Sequence, residues 1–383
     1  MTLAELLENE DLRRHEFPVV TRAVYLAHAG VCPLPRRVAE AVAAAARDGA
    51  LGDQETAVPR DFIPQTRALA ARLLGATPEE IALVGPTSLA LSLVANGLSF
   101  RRHANVLVYF DDYPSNVYPW MSLAERGVEV RFLNLHRLGV IRPVDVLGQV
   151  DEGTALVTLA SCHFLAGWRP DLARIGTALR ERGILFCVDG IQTLGAFPTL
   201  AAHADIIAAD AHKWLLGPCA AGILYVRREV QERIPPTVFG WHNVRCPNFV
   251  AQEELKFRPD ARRYEAGSAN LLGLAGLKAA LELVLEIGVD AIAAELLRKR
   301  TRLVAALRDK GYEVLCAEAP PENASGIISF HRPGTDMTAL HTRLEAAGIV
   351  TSLRADRAGT RYLRLSPHYY NTDAELDRAL ALL

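Results

Sequence analysis

The chain has 383 residues, 42 of them basic and 44 acidic, for a formal net charge of -2. Half of the residues are apolar and 22% are charged, the balance of an ordinary globular chain. Without a block of like charge, no face is built to meet nucleic acid or an anionic membrane.

The longest strongly apolar run, Trp214 to Val226, is too short for a bilayer and is broken by Gly217-Pro218. The first residues turn acidic at once, unlike a secretory leader. The six cysteines are scattered with no CxxC pair, so no zinc ribbon, other metal site or redox dithiol is expected. A reducing cytoplasm suits this pattern.

Residues 1–20 alternate apolar and charged positions, as an amphipathic helix docked on a larger body does. A short strand is expected at Val24–Ala27, then helices over Pro33–Arg47 and Ile63–Leu74. Next come strands at Ile81–Val84, Asn105–Phe110, Val128–Leu133, Ala155–Ala160, Ile184–Val188, Ile206–Ala209 and Gly222–Val226. Helices at Leu89–Gly97, Trp120–Arg126 and Asp171–Arg182 fall among them. The strands are short continuous apolar runs, the pattern of a parallel sheet buried on both faces. Residues 231–264 form a long irregular excursion. A helix at Leu271–Ile287 opens a smaller α+β unit with helices at Ala291–Lys310, Met337–Ala347 and Asp373–Leu382. Its strands lie at Tyr312–Leu315, Ile327–Phe330 and Tyr362–Leu365. The expected division is an N-terminal segment, 1–24, packing with the small domain; a large domain, 25–270; and a small C-terminal domain, 271–383.

Three places carry chemistry. In Ala209-Asp210-Ala211-His212-Lys213-Trp214, a lysine comes directly after a buried strand and leads into apolar residues. Desolvation there favours the neutral amine that Schiff-base formation requires; a snorkelling lysine is the plain alternative. Asp189 ends an apolar strand, where open α/β sheets bind ligands. It could pair with a pyridinium nitrogen or simply cap the next segment. In Gly85-Pro86-Thr87-Ser88 a strand turns into a helix whose first N–H groups suit a phosphate.

Together with Phe110–Trp120, Tyr264–Asn270 and Arg364–Thr372, these segments resemble the class V aminotransferases, the cysteine-desulfurase-like branch of fold-type I pyridoxal-phosphate (PLP) enzymes. The resemblance implies a mostly parallel sheet between helices plus a smaller α+β domain. It also implies a homodimer with shared active sites. Lys213 would carry PLP, Asp189 would face the ring nitrogen, and Gln192 the phenolic-oxygen side. Thr87, Ser88 and His212, with Asp210, would hold the phosphate, and Ser268 would reach it from the partner subunit. Tyr113 would stack on the ring and His163 would lie near the ring oxygen. Arg364 would grip the substrate carboxylate, a natural bidentate partner, with His28 and Gly30 at the substrate mouth.

One departure matters. Relatives that form a persulfide carry a cysteine on the loop before the Arg364 segment, and Ile349–Arg361 contains none. The likeness leans toward isopenicillin N epimerase-like proteins and carbon–sulfur lyases. The expected reaction is β-elimination at the α-carbon of an amino acid, with transamination or epimerisation as alternatives. A catalytically silent homologue serving as a binding partner is the remote one.

Overall fold

A computed structural model describes residues 1–383. The strands are, in chain order, β1 (Val24–Tyr25), β2 (Ile81–Ala82), β3 (Asn105–Val108), β4 (Glu129–Phe132), β5 (Thr154–Ala160), β6 (Leu185–Asp189), β7 (Ile206–Asp210), β8 (Gly222–Val226), β9 (Glu313–Val314), β10 (Ile328–His331), β11 (Ile349–Val350), β12 (Ser352–Ala355) and β13 (Arg361–Leu365).

Seven of them form one sheet in the order β2-β8-β7-β6-β5-β3-β4. All neighbours are parallel except β8, which runs antiparallel to β7 and β2. The reversal has a simple cause. The segment between β7 and β8 holds no helix, and a parallel return needs a long crossover. Alternate residues feed two cores. Phe186, Val188, Ile207 and Ala209 join one, while Leu185, Cys187, Ile206 and Ala208 join the other. Both faces are therefore apolar, and the strands read as continuous runs.

The helix Leu271–Ile287, expected to open the small domain, instead buries Leu277, Leu281 and Val284 in the first of these cores. The next helix, Val289–Asp309, begins there with Ile292 and Leu296 and ends in a third core with Leu303 and Leu307. It is the physical bridge between the units. The small sheet is antiparallel, β12-β13-β10-β9. Residues 349–361, read as a bare loop, instead supply β11, β12 and a tight turn in which Asp356 N–H donates to Thr360 O.

The amphipathic N-terminus breaks into two short helices, Leu3–Glu8 and Glu10–Glu16, each with a side-chain cap. It docks on both units. The Met1 amino group pairs with Glu286 at 2.6 Å, and Arg13 pairs with Glu375 at 2.8 Å. β1 then pairs in parallel with β11, so the chain passes along the small domain before entering the large one.

Candidate active site

The parallel strands β3, β5, β6 and β7 end along one edge of the sheet. Asp189 is the last residue of β6, and Lys213 lies three residues past β7. This is the edge where such sheets hold ligands.

Lys213 is only 6% exposed, and its Nζ lies 5.1 Å from the centroid of the Tyr113 ring. Burial lowers its ammonium to about 8, against the opposing pull of Asp189, while Arg364 and Arg354 add to the lowering. The Asp189 carboxylate accepts one hydrogen bond, from Ile191 N–H at 3.1 Å. Burial, reinforced by the charge of Asp112, pushes it up to about 7. A buried carboxylate without a bonded cation is costly, and a protonated ring nitrogen is a group that would satisfy it.

Tyr113 is held from below by Asp112, a residue whose role nothing in its local sequence announces. Its Oδ1 accepts from Tyr113 N–H, while Oδ2 accepts from Ala160 N–H and from the Asn116 amide. The loop carrying Tyr113 is thereby pinned to the end of β5.

A second cluster lies beside the first. The helix Thr87–Gly97 starts at the same edge, and its first N–H groups have no intrahelical partner. Thr87 Oγ1 accepts from Asp210 N–H at 2.9 Å, which leaves the hydroxyl hydrogen free to donate. Ser88 is exposed and donates to Ser115 Oγ. His212 Nδ1 lies 2.6 Å from Asp210 Oδ2. Asp210 itself is corrected as a phosphate contact. A carboxylate repels an anion, and this one already accepts from His212 and Ala220 N–H. Its place is behind His212. Gly85 explains the tight approach: a Cβ there would meet Gly222 N at 2.7 Å and Asp210 Oδ1 at 2.9 Å.

Arg364 on β13 is 1% exposed and donates through Nη1 to Phe164 O at 2.7 Å. Its Nε and Nη2 are buried without a partner. Such orphaned charged donors are rare and call for an anion. Gly30 faces them, with a Cβ position 3.8 Å from Arg364 Nη2.

Two histidines are corrected. His28 has no exposure; Nε2 meets Tyr370 OH at 2.7 Å and Nδ1 meets Ser366 O at 2.9 Å. It ties the two chain ends together and does not reach the mouth. His163 accepts from Ala166 N–H at Nδ1, so Nε2 carries the proton and donates to Asp111 O. Both nitrogens are spent, and burial holds the ring neutral, lowered to about 4. It supports the loop and cannot bond a ring oxygen. Gln192 is also engaged, accepting from Trp214 Nε1 and donating to Ala29 O, with one amide hydrogen to spare. Ser268 is exposed, and its hydroxyl reaches Glu55 in its own chain.

A buried amine, a buried carboxylate with a single hydrogen bond, a helix N-terminus beside a histidine and an orphaned guanidinium lie together along this edge, a set suited to a phosphorylated aldehyde and a carboxylate. The aminotransferase class-V family model matches residues 24–379. A probable cysteine desulfurase of Methanothermobacter thermautotrophicus is 30% identical, over 97% of this chain and 96% of the relative. A cysteine desulfurase of Salmonella agona is 27% identical, over 96% of each. In structure, the apo cysteine desulfurase of Thermococcus onnurineus NA1 superposes with a TM-score of 0.89 at 23% identity, covering 97% of this chain and 96% of that one. The cystine C–S lyase C-DES, in complex with its product cysteine persulfide, gives 0.84 at 23% identity, covering 95% and 98%.

The chain belongs to the class V aminotransferase family. It is a PLP-dependent enzyme with the fold-type I architecture. No helix is long and apolar enough to cross a membrane.

Proposed function

We propose that this enzyme catalyses β-elimination on a small or sulfur-containing amino acid, cleaving a carbon–sulfur bond without a persulfide-forming cysteine. When bound, PLP supplies an aldehyde for attachment and an electron-withdrawing ring that stabilises a carbanion at the α-carbon.

The observation that carries the reading is Lys213, a buried amine lowered to about 8 beside Asp189 and under Tyr113. At neutral pH it keeps an accessible neutral fraction, which fits it to anchor the aldehyde and later to take a proton from the substrate. Asp189 would hold the ring nitrogen protonated, and Tyr113 would cover the ring. Thr87, Ser88, the helix N-terminus and His212 would hold the phosphate. Gln192 would offer its spare amide hydrogen to the phenolic oxygen, and Arg364 would bind the α-carboxylate on the side of Gly30.

The tight turn between β12 and β13 favours elimination over sulfur relay. Its Arg357 is tied to Asp111 at 2.5 Å, and the segment has no thiol to deliver. Of the other cysteines, Cys32 is buried and pushed up to about 12 by desolvation, so it is a poor nucleophile. The relatives named cysteine desulfurases and the C–S lyase both suggest sulfur-bearing substrates.

The working form in this proposal is a homodimer in a reducing, cytoplasmic setting. The excursion 231–264 exposes Trp241, Phe249 and Val250, an apolar surface suited to a second copy. That copy would bring its Ser268 to the phosphate. The six unpaired cysteines suit a reducing compartment.

The test is to incubate holoenzyme with a panel of amino acids while following pyruvate, sulfide and the amine form of the cofactor. Pyruvate without the amine form is the expected result. Accumulated amine form would establish transamination instead, and α-proton exchange alone would establish epimerisation. A protein that never develops the absorbance of lysine-bound cofactor would be catalytically silent.

A further inference from the structure

Arg364 is not the only guanidinium at the mouth. Ser352 on β12 sits opposite Arg364 on β13. Residues two apart on a strand share a face, so Arg354 projects on the same side as Arg364. Both converge on one point: the Cβ position of Gly30 is 3.8 Å from Arg354 Nη2 and 3.8 Å from Arg364 Nη2.

The neighbouring arginines are occupied. Arg357 pairs with Asp111, and Arg361 donates to Thr338 Oγ1 at 2.7 Å. Arg354 has only a bond to the carbonyl of Leu353, its own neighbour, at 2.9 Å, and forms no ion pair. Guanidinium stays charged in proteins. Two such groups, with Lys213 close enough to feel both, repel one another strongly in a partly dry pocket. Selecting an α-carboxylate requires one arginine, since Arg364 alone can bind it through two donors.

We propose that the second guanidinium, Arg354, selects an amino acid whose side chain ends in its own anionic group, a carboxylate or an oxidised sulfur acid. This rests on the reading that Arg364 takes the α-carboxylate. Gly30 is small so that both anions can approach the two arginines across the space a side chain would fill.

The experiment uses holoenzyme and non-reacting probes, succinate against propionate, by titration calorimetry. Neither contains an amine, so binding does not depend on any reaction. Succinate should bind at least about tenfold more tightly, the scale of one added charged hydrogen bond. In Arg354→Gln this preference should vanish, Arg354→Lys should keep part of it, and Arg364→Gln should weaken both probes. Turnover should change in parallel: the ratio of kcat/KM for L-cysteine sulfinate over L-cysteine, both of which carry a sulfur leaving group on the β-carbon, should fall roughly 10- to 100-fold in Arg354→Gln. Equal binding of succinate and propionate overturns the proposal. So does equal loss of both probes in Arg354→Gln, because both arginines would then share one carboxylate. If the succinate preference holds but no amino acid is turned over, the elimination reading fails and the two-anion site stands.

Discussion

His212 Nδ1 lies 2.6 Å from Asp210 Oδ2, an oxygen that also accepts the Ala220 N–H. The buried carboxylate therefore fixes the imidazole plane and leaves Nε2 free to meet a ligand. An acidic residue in the neighbourhood of a phosphate makes sense only in this indirect position.

Removing either partner should loosen the cofactor. His212→Ala is expected to raise the dissociation constant for PLP by about 10- to 100-fold, the value of a charged hydrogen bond. Asp210→Ala should do much of the same, and the double variant should be far from additive because the two act as one unit. Absorbance titration of apo protein with PLP measures all three.

The Lys213 environment predicts a pH signature. Its folded pKa, about 8, is below its ordinary 10.5, so the unfolded chain binds more protons between these values and stability rises with pH across that window. Lys213→Met apo protein should be more stable than the parent at pH 7, with the gap closing from pH 8 to 10.5. Urea denaturation across pH reads this directly. Capture of PLP by the parent should accelerate through pH 8, and Asp189→Asn should move that midpoint down, since Asp189 holds it up.

Gly85→Ala tests the close approach behind the helix N-terminus. The added methyl meets Gly222 N at 2.7 Å, and backbone on both sides leaves no flexible group to yield. A loss of about 1–3 kcal/mol is expected, together with weaker PLP binding. A variant with wild-type urea midpoint and wild-type PLP affinity would contradict the packing described.

Tyr370→Phe tests the reassigned role of His28. It leaves His28 Nε2 buried without its 2.7 Å partner, at a cost of about 1–3 kcal/mol. The stacking of Phe17 on ring 370, with centroids 4.0 Å apart, should survive. Stability should fall in chemical denaturation while KM for the amino acid changes little.

The legible part of the sequence is the part that burial imprints on it. Strands covered on both faces announce themselves as apolar runs, so Asp189 and Lys213 could be placed at strand ends. The histidines were harder, because imidazole reads the same whether its nitrogens face a ligand or backbone. The bonds of His163 to Asp111 O and Ala166 N depend on how two loops meet, which no local pattern records. β12 was hidden because Ser352–Ala355 is short and half-exposed, with two polar residues among four. Sequence alone marks Arg354 as no more than one of several arginines in this stretch; its register with β13 is what sets it beside Arg364. The antiparallel turn of β8 was equally silent, since an apolar run does not state its direction.

The bond from His28 to Ser366 joins residues 338 positions apart. The edge proposed to hold the cofactor comes mostly from Ile81 to Val226, but the half proposed to bind the carboxylate needs the first thirty residues and the last twenty at once. During synthesis the strand ends that carry Asp189 and Lys213 emerge first, but Tyr369 and Tyr370 share the core that holds Trp214 and Leu215, and His368 meets Trp214 O, so the lysine pocket closes only when the last residues arrive. A C-terminally clipped chain therefore loses the arginine side of the site and, with it, part of the packing behind Lys213.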